Sequence, residues 1–494
     1  MSRSLLSSRR RFCLGLGAAA AAAGTVGLRT AGADESAPLS TPEDRRLLFV
    51  VGASGGASIV DSFMPVSTDE VPASADTDRL DVYRPEELIQ PEGSRIRCVR
   101  PLANTGFLTP GYAMQTFLED HYQTMTVVAH EVTSVNHLVA QKRSVTGANV
   151  NRGRTIAEAV AARHGADLPL ANCNMAQGGF VEPGDDLSLP AHARGEIITS
   201  PDVYALSTHG GRGVVGGLDD AALGRARGIR TALEDHSPFG QTYRDNAARL
   251  AYLRNREDVA PQLESLDAIR KLGLLDPSQL DPTLGIEASP LADAVRGVYP
   301  QLDGDRWQQQ GALAFLLAYY GLSCASTLSL SFNPSFEGDD IVGAPLAFDF
   351  SHTDHRASQN VMWGRVLRTV DGLVKLLQTY DYLGDPSLGK MWDRSLIYIA
   401  TDFGRDKLRP SGSTFYGTGH HLNNGSLLLS PLLQGNRVFG GVDPSTLLTH
   451  GFDPRTGEEK RDEVAREAEV YSLIAQALDV DFEGRRDMSG LLSG

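Results

Sequence analysis

Seven consecutive residues, Asp349-Phe350-Ser351-His352-Thr353-Asp354-His355, carry two carboxylates and two imidazoles. Oxygen and nitrogen donors crowded onto one turn suit a divalent cation of the zinc type. The chain has only 12 histidines in 494 residues, so two in one such turn carry chemical meaning. Asp354 also has an ordinary use, as the cap of the helix that follows. Two other stretches supply compatible donors. Asp402 follows the apolar run from Ser395 to Ala400, and His420 and His421 close a polar, glycine-rich loop before a second apolar run from Asn424 to Ser430. Adjacent residues of a strand face opposite ways, so one of the two histidines is expected to be a ligand, with His420 preferred. The candidate metal ligands are therefore Asp349, His352, His355, Asp402, His420 and His421.

Strands must bring these residues together. The run Ser395 to Ala400 (SLIYIA) reads as a strand buried on both faces of a parallel sheet, which puts Asp402 at its carboxyl end, where open α/β sheets hold their ligands. Further strands are expected at Arg46 to Val51, Met125 to His130, Leu168 to Cys173, Thr327 to Phe332 and Pro345 to Phe350. Helices are expected from about Ala113 to Tyr122, Thr155 to His164, Ser358 to Tyr380 and Val464 to Leu478. Strand and helix alternate at both ends, so the expected fold class is α/β, with a mostly parallel central sheet flanked by helices. Between about residues 200 and 321 the chain turns charged and rich in Ala and Leu, and reads as a helical insertion beside the sheet.

The first 33 residues read as a targeting segment. Arg9-Arg10-Arg11 precede an alanine-rich stretch too short and weakly apolar to span a membrane well, and Ala31-Gly32-Ala33 is an A-x-A cleavage site. This pattern predicts export by the twin-arginine machinery to the periplasm or beyond, leaving residues 34–494 as a single domain. Removing the segment takes away five arginines and no acids, which leaves 41 basic against 61 acidic residues, a net charge of −20. So acidic a chain lacks the basic footprint that nucleic acid or an anionic membrane demands. Cys98, Cys173 and Cys324 remain, an odd, widely spaced set that is neither a disulfide framework nor a zinc cluster.

Thr401-Asp402-Phe403-Gly404-Arg405 followed by Gly417-Thr418-Gly419-His420-His421 resembles the C-terminal motifs of domain-of-unknown-function family fifteen-oh-one, exported proteins related to the alkaline phosphatase and sulfatase superfamily. Asp349 with His352 resembles that family's D-T-H segment with one residue added, and Asn136-His137-Leu138-Val139-Ala140-Gln141 is similar to its S-H-F-x-A-Q segment. The resemblance implies an alkaline-phosphatase-like fold holding one or two metal ions around a small anionic phosphate or sulfate ester. It implies Asp349, His352 and His420 in one ligand group and Asp402 in the other, with His355 replacing His352 if the register shifts. Two positions depart from the family. Its acidic residue after Gly-Gly falls on Ser58, for which Asp61 could substitute. Its nucleophile position falls on Asn136, whose amide cannot attack, leaving Ser134 or Thr133 as nearby hydroxyls.

Two competing functions follow. Gly52-Ala53-Ser54-Gly55-Gly56 matches the G-x-S-x-G elbow of serine hydrolases, with Ser54, Asp402 and His420 in that fold's chain order. The other alternative is an exported binding or envelope protein of the same fold without catalysis, which Ser58 and Asn136 favour.

Overall fold

The run Leu47–Ala53 is apolar without interruption and buried at all seven positions, as a strand covered on both faces requires. This strand, β1, sits inside an eight-stranded sheet. The others are β2 (Met125–Glu131), β3 (Asn172–Asn174), β4 (Glu196–Ile197), β5 (Ala325–Ser329), β6 (Ser395–Thr401), β7 (Asn423–Leu429) and β8 (Arg437–Phe439). Their spatial order is β8-β2-β7-β6-β1-β5-β3-β4. Among the described residues every pairing in this sheet is parallel except the two made by β7, with β6 and with β2. The structure is a computed structural model and describes residues 40–102, 112–176, 178–208, 219–276, 278, 288–329, 335–336, 339–340, 347–410, 413 and 415–493. Residues Leu39 to Gly494 form one compact unit.

Helices α1 (His137–Thr146), α2 (Ile156–His164), α3 (Arg306–Tyr319), α4 (His355–Thr379) and α5 (Glu467–Ala477) supply the flanking layers. α1, α2 and α5 pack on one another and on the sheet, while α3 packs on α4 and on β5. Helix α4 starts where Asp354 accepts from the Ala357 amide at 3.2 Å, the capping role its sequence position suggested. Its buried Trp363 meets Phe348 and Phe63 edge-on, at centroid separations of 5.2 and 5.3 Å. Such aromatic pairs contribute about 0.5–1.5 kcal/mol each beyond their buried area. Between residues 200 and 321 helices stand at Asp220–His236, Ala247–Arg254, Ala260–Ser265, Ala268–Leu272 and Ala292–Val298, whereas Arg306–Tyr319, expected as part of the helical insertion, is α3 and packs on the sheet.

Three expectations need correction or limits. Pro345 to Phe350 reads as a strand, but Ala347–His352 is a 3₁₀ turn. The Phe348 amide bonds to the Ser54 carbonyl at 3.0 Å and Thr353 N to Phe350 O at 2.8 Å, so the segment folds back on itself over the end of β1 instead of joining the sheet. Its apolar alternation reflects Phe348 going fully into the core while Asp349, 16% exposed, stays at the rim. Leu168 and Leu170 are buried in a turn before β3, not in it, since the Leu168 amide is taken by Gly165. Residues 330–334 and 341–346, with the expected strand ends that fall on them, and the targeting segment at 1–33 lie outside the described residues. Cys98, Cys173 and Cys324 are each free and buried. Among the described residues no helix is long and apolar enough to cross a membrane.

What matters for the site is a coincidence of strand ends. Ala53 of β1 lies in register with Thr401 of β6, so Ser54 and Asp402 leave the sheet side by side. β7 runs antiparallel, and its first residue, Asn423, pairs with the last residue of β2, Glu131. The chain that enters β7, with His420, therefore arrives at the same rim that β1, β2 and β6 leave.

Candidate metal centre

Asp402 is the fixed point of this rim. Its side chain is fully buried, and Oδ1 accepts from the amides of Gly56 at 2.7 Å and Phe403 at 3.2 Å while Oδ2 accepts from Gly55 at 3.0 Å. Gly55 and Gly56 have φ of +96° and +77°, a region that side chains avoid. A Cβ on Gly55 would lie 2.4 Å from the backbone nitrogen of Asp349. The glycine turn thus presents two amides to Asp402 and lets the Asp349 segment close over it. Ser54, in the same turn, is 1% exposed, and its hydroxyl accepts from Gln141 Nε2 at 3.2 Å. A serine-hydrolase elbow presents its oxygen openly to a histidine, and Ser54 does neither.

The fourth donor to Asp402 is His137, the first residue of α1, whose Nδ1 lies 2.8 Å from Oδ2. A carboxylate partner fixes a proton on Nδ1, so Nε2, which faces Asp349 Oδ1 at 3.4 Å, is the atom that would bind an ion. His420 is fixed in the same way by a different group. Its Nδ1 donates to the Val135 carbonyl at 3.0 Å, and its ring stacks on Phe403 with centroids 4.0 Å apart. Nε2 of His420 therefore also presents a lone pair, 2.9 Å from Nε2 of His352. His352 lies 3.3 Å from Asp349 Oδ1 and is about half-exposed at the rim. His137, Asp349 and His420 each offer one atom to a common point, all within 4.8 Å of one another.

Asp349 Oδ1 decides whether this trio fits a cation. It is a buried atom with no hydrogen bond, although the nitrogens of His137, His352 and Arg405 stand 3.4, 3.3 and 3.7 Å away. Four-coordinate zinc with ligands at about 2.0 Å separates those ligands by about 3.3 Å, so the 3.4 Å between Asp349 Oδ1 and His137 Nε2 matches one edge of such a coordination polyhedron. Two imidazoles and a carboxylate are the protein donor set of one kind of catalytic zinc site.

The local charges bear on this. Burial pulls the pKa of His137 down, but the neighbouring carboxylates of Asp349 and Asp402 outweigh it and raise it to about 9, so a cation would have to displace a proton from this ring. Burial also lowers that of His420, helped by the positive neighbours Arg405, His137 and His352. For Asp349, burial raises the value, and the nearby His137 ring and its charge more than reverse this. Arg405 lies fully buried beneath the centre. Its guanidinium donates to the carbonyls of Gly55, Gly56 (3.2 Å), Phe348 (3.2 Å) and Thr418 (3.3 Å), tying together the loops that carry Asp349 and His420.

The sequence candidates thus separate. Asp349 and His420 join the trio, His352 stands beside it, and Asp402 acts one bond further out, through His137. His421 turns away and accepts from the Asn423 amide at 3.2 Å through Nδ1. His355 enters another cluster, fully buried, with Asp61 and Asp81. Asn136 caps α1, accepting from Val139 N at 3.3 Å. Ser134 accepts from Asn136 N at 3.1 Å, and the hydroxyl of Thr133 donates to Glu467 at 2.9 Å, so each hydroxyl has a structural partner. Sequence reasoning quoted His137 without giving it a role. The signal was available: it opens the helix that follows β2, at the same rim as Asp402.

No known family model and no curated protein sequence matches the chain. Among solved structures, the crystal structure of Ps i-CgsB in complex with k-i-k-neocarrahexaose is similar over 90% of this chain and 75% of that one, at 11% identity and a TM-score of 0.30. A crystal structure of Ps i-CgsB alone is similar over 89% and 73%, at 11% identity and a TM-score of 0.27. Superpositions this loose carry no argument about the site, whose chemistry rests on the side chains of this chain.

Proposed function

We propose that this chain is an exported protein resembling the alkaline phosphatase and sulfatase superfamily, which holds a zinc-type divalent ion on His137, Asp349 and His420 and hydrolyses a small anionic phosphate or sulfate ester. One observation carries this: the orphaned Oδ1 of Asp349, buried and 3.4 Å from Nε2 of His137, with His420 offering an atom within 4.8 Å of both. When bound, the ion would polarise the ester and attract its negative charge.

The chain's own residues supply the rest. Asp402 keeps the proton on Nδ1 of His137, and the Val135 carbonyl keeps it on Nδ1 of His420, so both rings present Nε2 to the centre. Asp349, Asp402 and Arg405 together carry one net negative charge, and a dication with neutral histidines makes the centre net positive. Such a centre attracts an anion, and the amino end of α1 adds to that field. Ser134, Thr133 and Asn136 are each engaged by backbone or Glu467, so the attacking group in this proposal is water. His352, half-exposed beside His420, is the group available to take its proton.

The engaged hydroxyls also favour a second reading, an exported protein that holds an ion and binds anions without turnover. Purified protein loaded with zinc, assayed on aryl phosphate and aryl sulfate esters, separates the two. Turnover abolished by Asp349→Ala supports hydrolysis. Zinc binding without turnover on either ester class leaves the binding protein, and no zinc binding removes both. Export is tested by fractionation, where Arg9→Lys with Arg10→Lys should trap the precursor inside the cell.

A further inference from the structure

His355, Asp61 and Asp81 form a second group of potential ligands, with side chains 0%, 3% and 0% exposed. Each residue has its outward atoms engaged and one atom turned inward. Asp81 Oδ1 takes the Arg356 guanidinium at 3.0 Å and the Tyr416 hydroxyl, while Oδ2 has no hydrogen bond. Asp61 Oδ1 takes the Lys407 ammonium at 3.1 Å, and Oδ2, held by the Ser58 hydroxyl at 2.6 Å, faces inward. His355 Nδ1 is 3.3 Å from the Thr418 hydroxyl, and its Nε2 is buried without a hydrogen bond. That Nε2 stands 3.2 Å from Asp61 Oδ2 and 3.2 Å from Asp81 Oδ2, close enough for an ion pair but off the axis of a hydrogen bond to either.

From this we infer a second metal site, in which Asp61, Asp81 and His355 hold a zinc-type divalent cation. Equal separations of 3.2 Å fit the ligand edges of a tetrahedral ion, about 3.3 Å for ligand distances of about 2.0 Å. The outer partners do what surroundings of metal sites do. They occupy the second oxygen of each carboxylate and the second nitrogen of the imidazole, fixing which atom points inward. Lys407 and Arg356 on the opposite oxygens already balance the two carboxylates, so the ion would add net positive charge to this group. The competing occupant is a proton on His355, which would be shared between the two carboxylates.

With no exposed ligand, the ion belongs to the folded interior and should exchange slowly. The role is structural: it would join the segment after β1 (Asp61), the loop between β1 and β2 (Asp81) and the start of α4 (His355). The inference does not depend on what the first centre does.

The test is zinc stoichiometry on the full chain, by elemental analysis after exhaustive dialysis against chelator and after reloading with zinc. Wild type should hold two equivalents after reloading, one of them resistant to chelator. The double variant His137→Ala with His420→Ala should keep the resistant equivalent, and His355→Gln should lose it while retaining the other. A double variant with no metal, beside a wild type with one equivalent, overturns the second site and leaves the first standing. The reverse pattern overturns the first alone. Should His355→Gln fail to fold, anomalous diffraction at the zinc edge from the wild-type crystal decides. A peak among Asp61 Oδ2, Asp81 Oδ2 and His355 Nε2 supports the site, and an occupied first centre without that peak removes it.

Discussion

Replacing Asp402 with asparagine changes one atom and should cost both stability and metal affinity. Oδ1 accepts from Gly56 and Phe403, and Oδ2 from Gly55 and His137, at distances from 2.7 to 3.2 Å. Whichever oxygen becomes NH₂ then faces two N–H donors. Hydrogen bonds to a charged group are worth about 1.5–3 kcal/mol each, so losing two predicts a destabilisation of about 3–6 kcal/mol. Against a typical stability of about 5–15 kcal/mol, that is large but survivable. The same change frees His137 from its tautomer, and loss of such an outer partner weakens metal binding by about 10–100-fold. Urea denaturation of metal-free protein reads the first effect, and competition titration with a zinc chromophore reads the second. A variant within about 1 kcal/mol of wild type that binds zinc equally well would refute Asp402 as the organiser of the rim.

Three further outcomes are expected. Gly55→Ala should lose about 1–3 kcal/mol from its φ of +96° and, since the new Cβ meets Asp349 N at 2.4 Å, should also weaken zinc binding in the same titration. His420→Ala should lose the zinc bound at the first centre, whereas His421→Ala should keep its affinity within about twofold, as expected where no ligand is touched. Burial, with help from the Arg163 charge, pushes the pKa of His164 down to about 4, with its ring nitrogens held by Ser40 and the Leu478 carbonyl. A folded value below the unfolded one, about 6.5, means the unfolded chain takes the proton first. Stability is then complete above that pH and falls by about 1.4 kcal/mol per unit down to about pH 4. Denaturation across that range should show a shallower decline for His164→Gln, and equal slopes would remove His164 as the cause.

The strands that build the rim were legible because they are dominated by apolar, β-branched and aromatic residues. Leu47–Ala53, Met125–Glu131 and Ser395–Thr401 can only be buried on two faces, and a carboxylate just past such a run has to emerge at the sheet's edge. That logic singled out Asp402, and the loop leading to the next apolar run singled out His420; that β7 runs antiparallel came from the structure. Composition also narrowed the expected ligand, since histidines and carboxylates brought onto turns are groups that could hold a cation.

Side-chain direction was decided by the tertiary structure alone. His352 and His355 are three residues apart, yet the extended backbone at Asp354, which caps α4, turns one toward the rim and the other toward Asp61 and Asp81. No spacing rule separates them, because the partners come from segments some 270 to 290 positions away. His137 was hidden for the same reason: its role exists only once Asp402 and Asp349 stand on either side of its ring. The sequence determines which segments must reach the edge of the sheet, a consequence of local burial. Which atoms meet there depends on long-range packing, which local pattern does not encode.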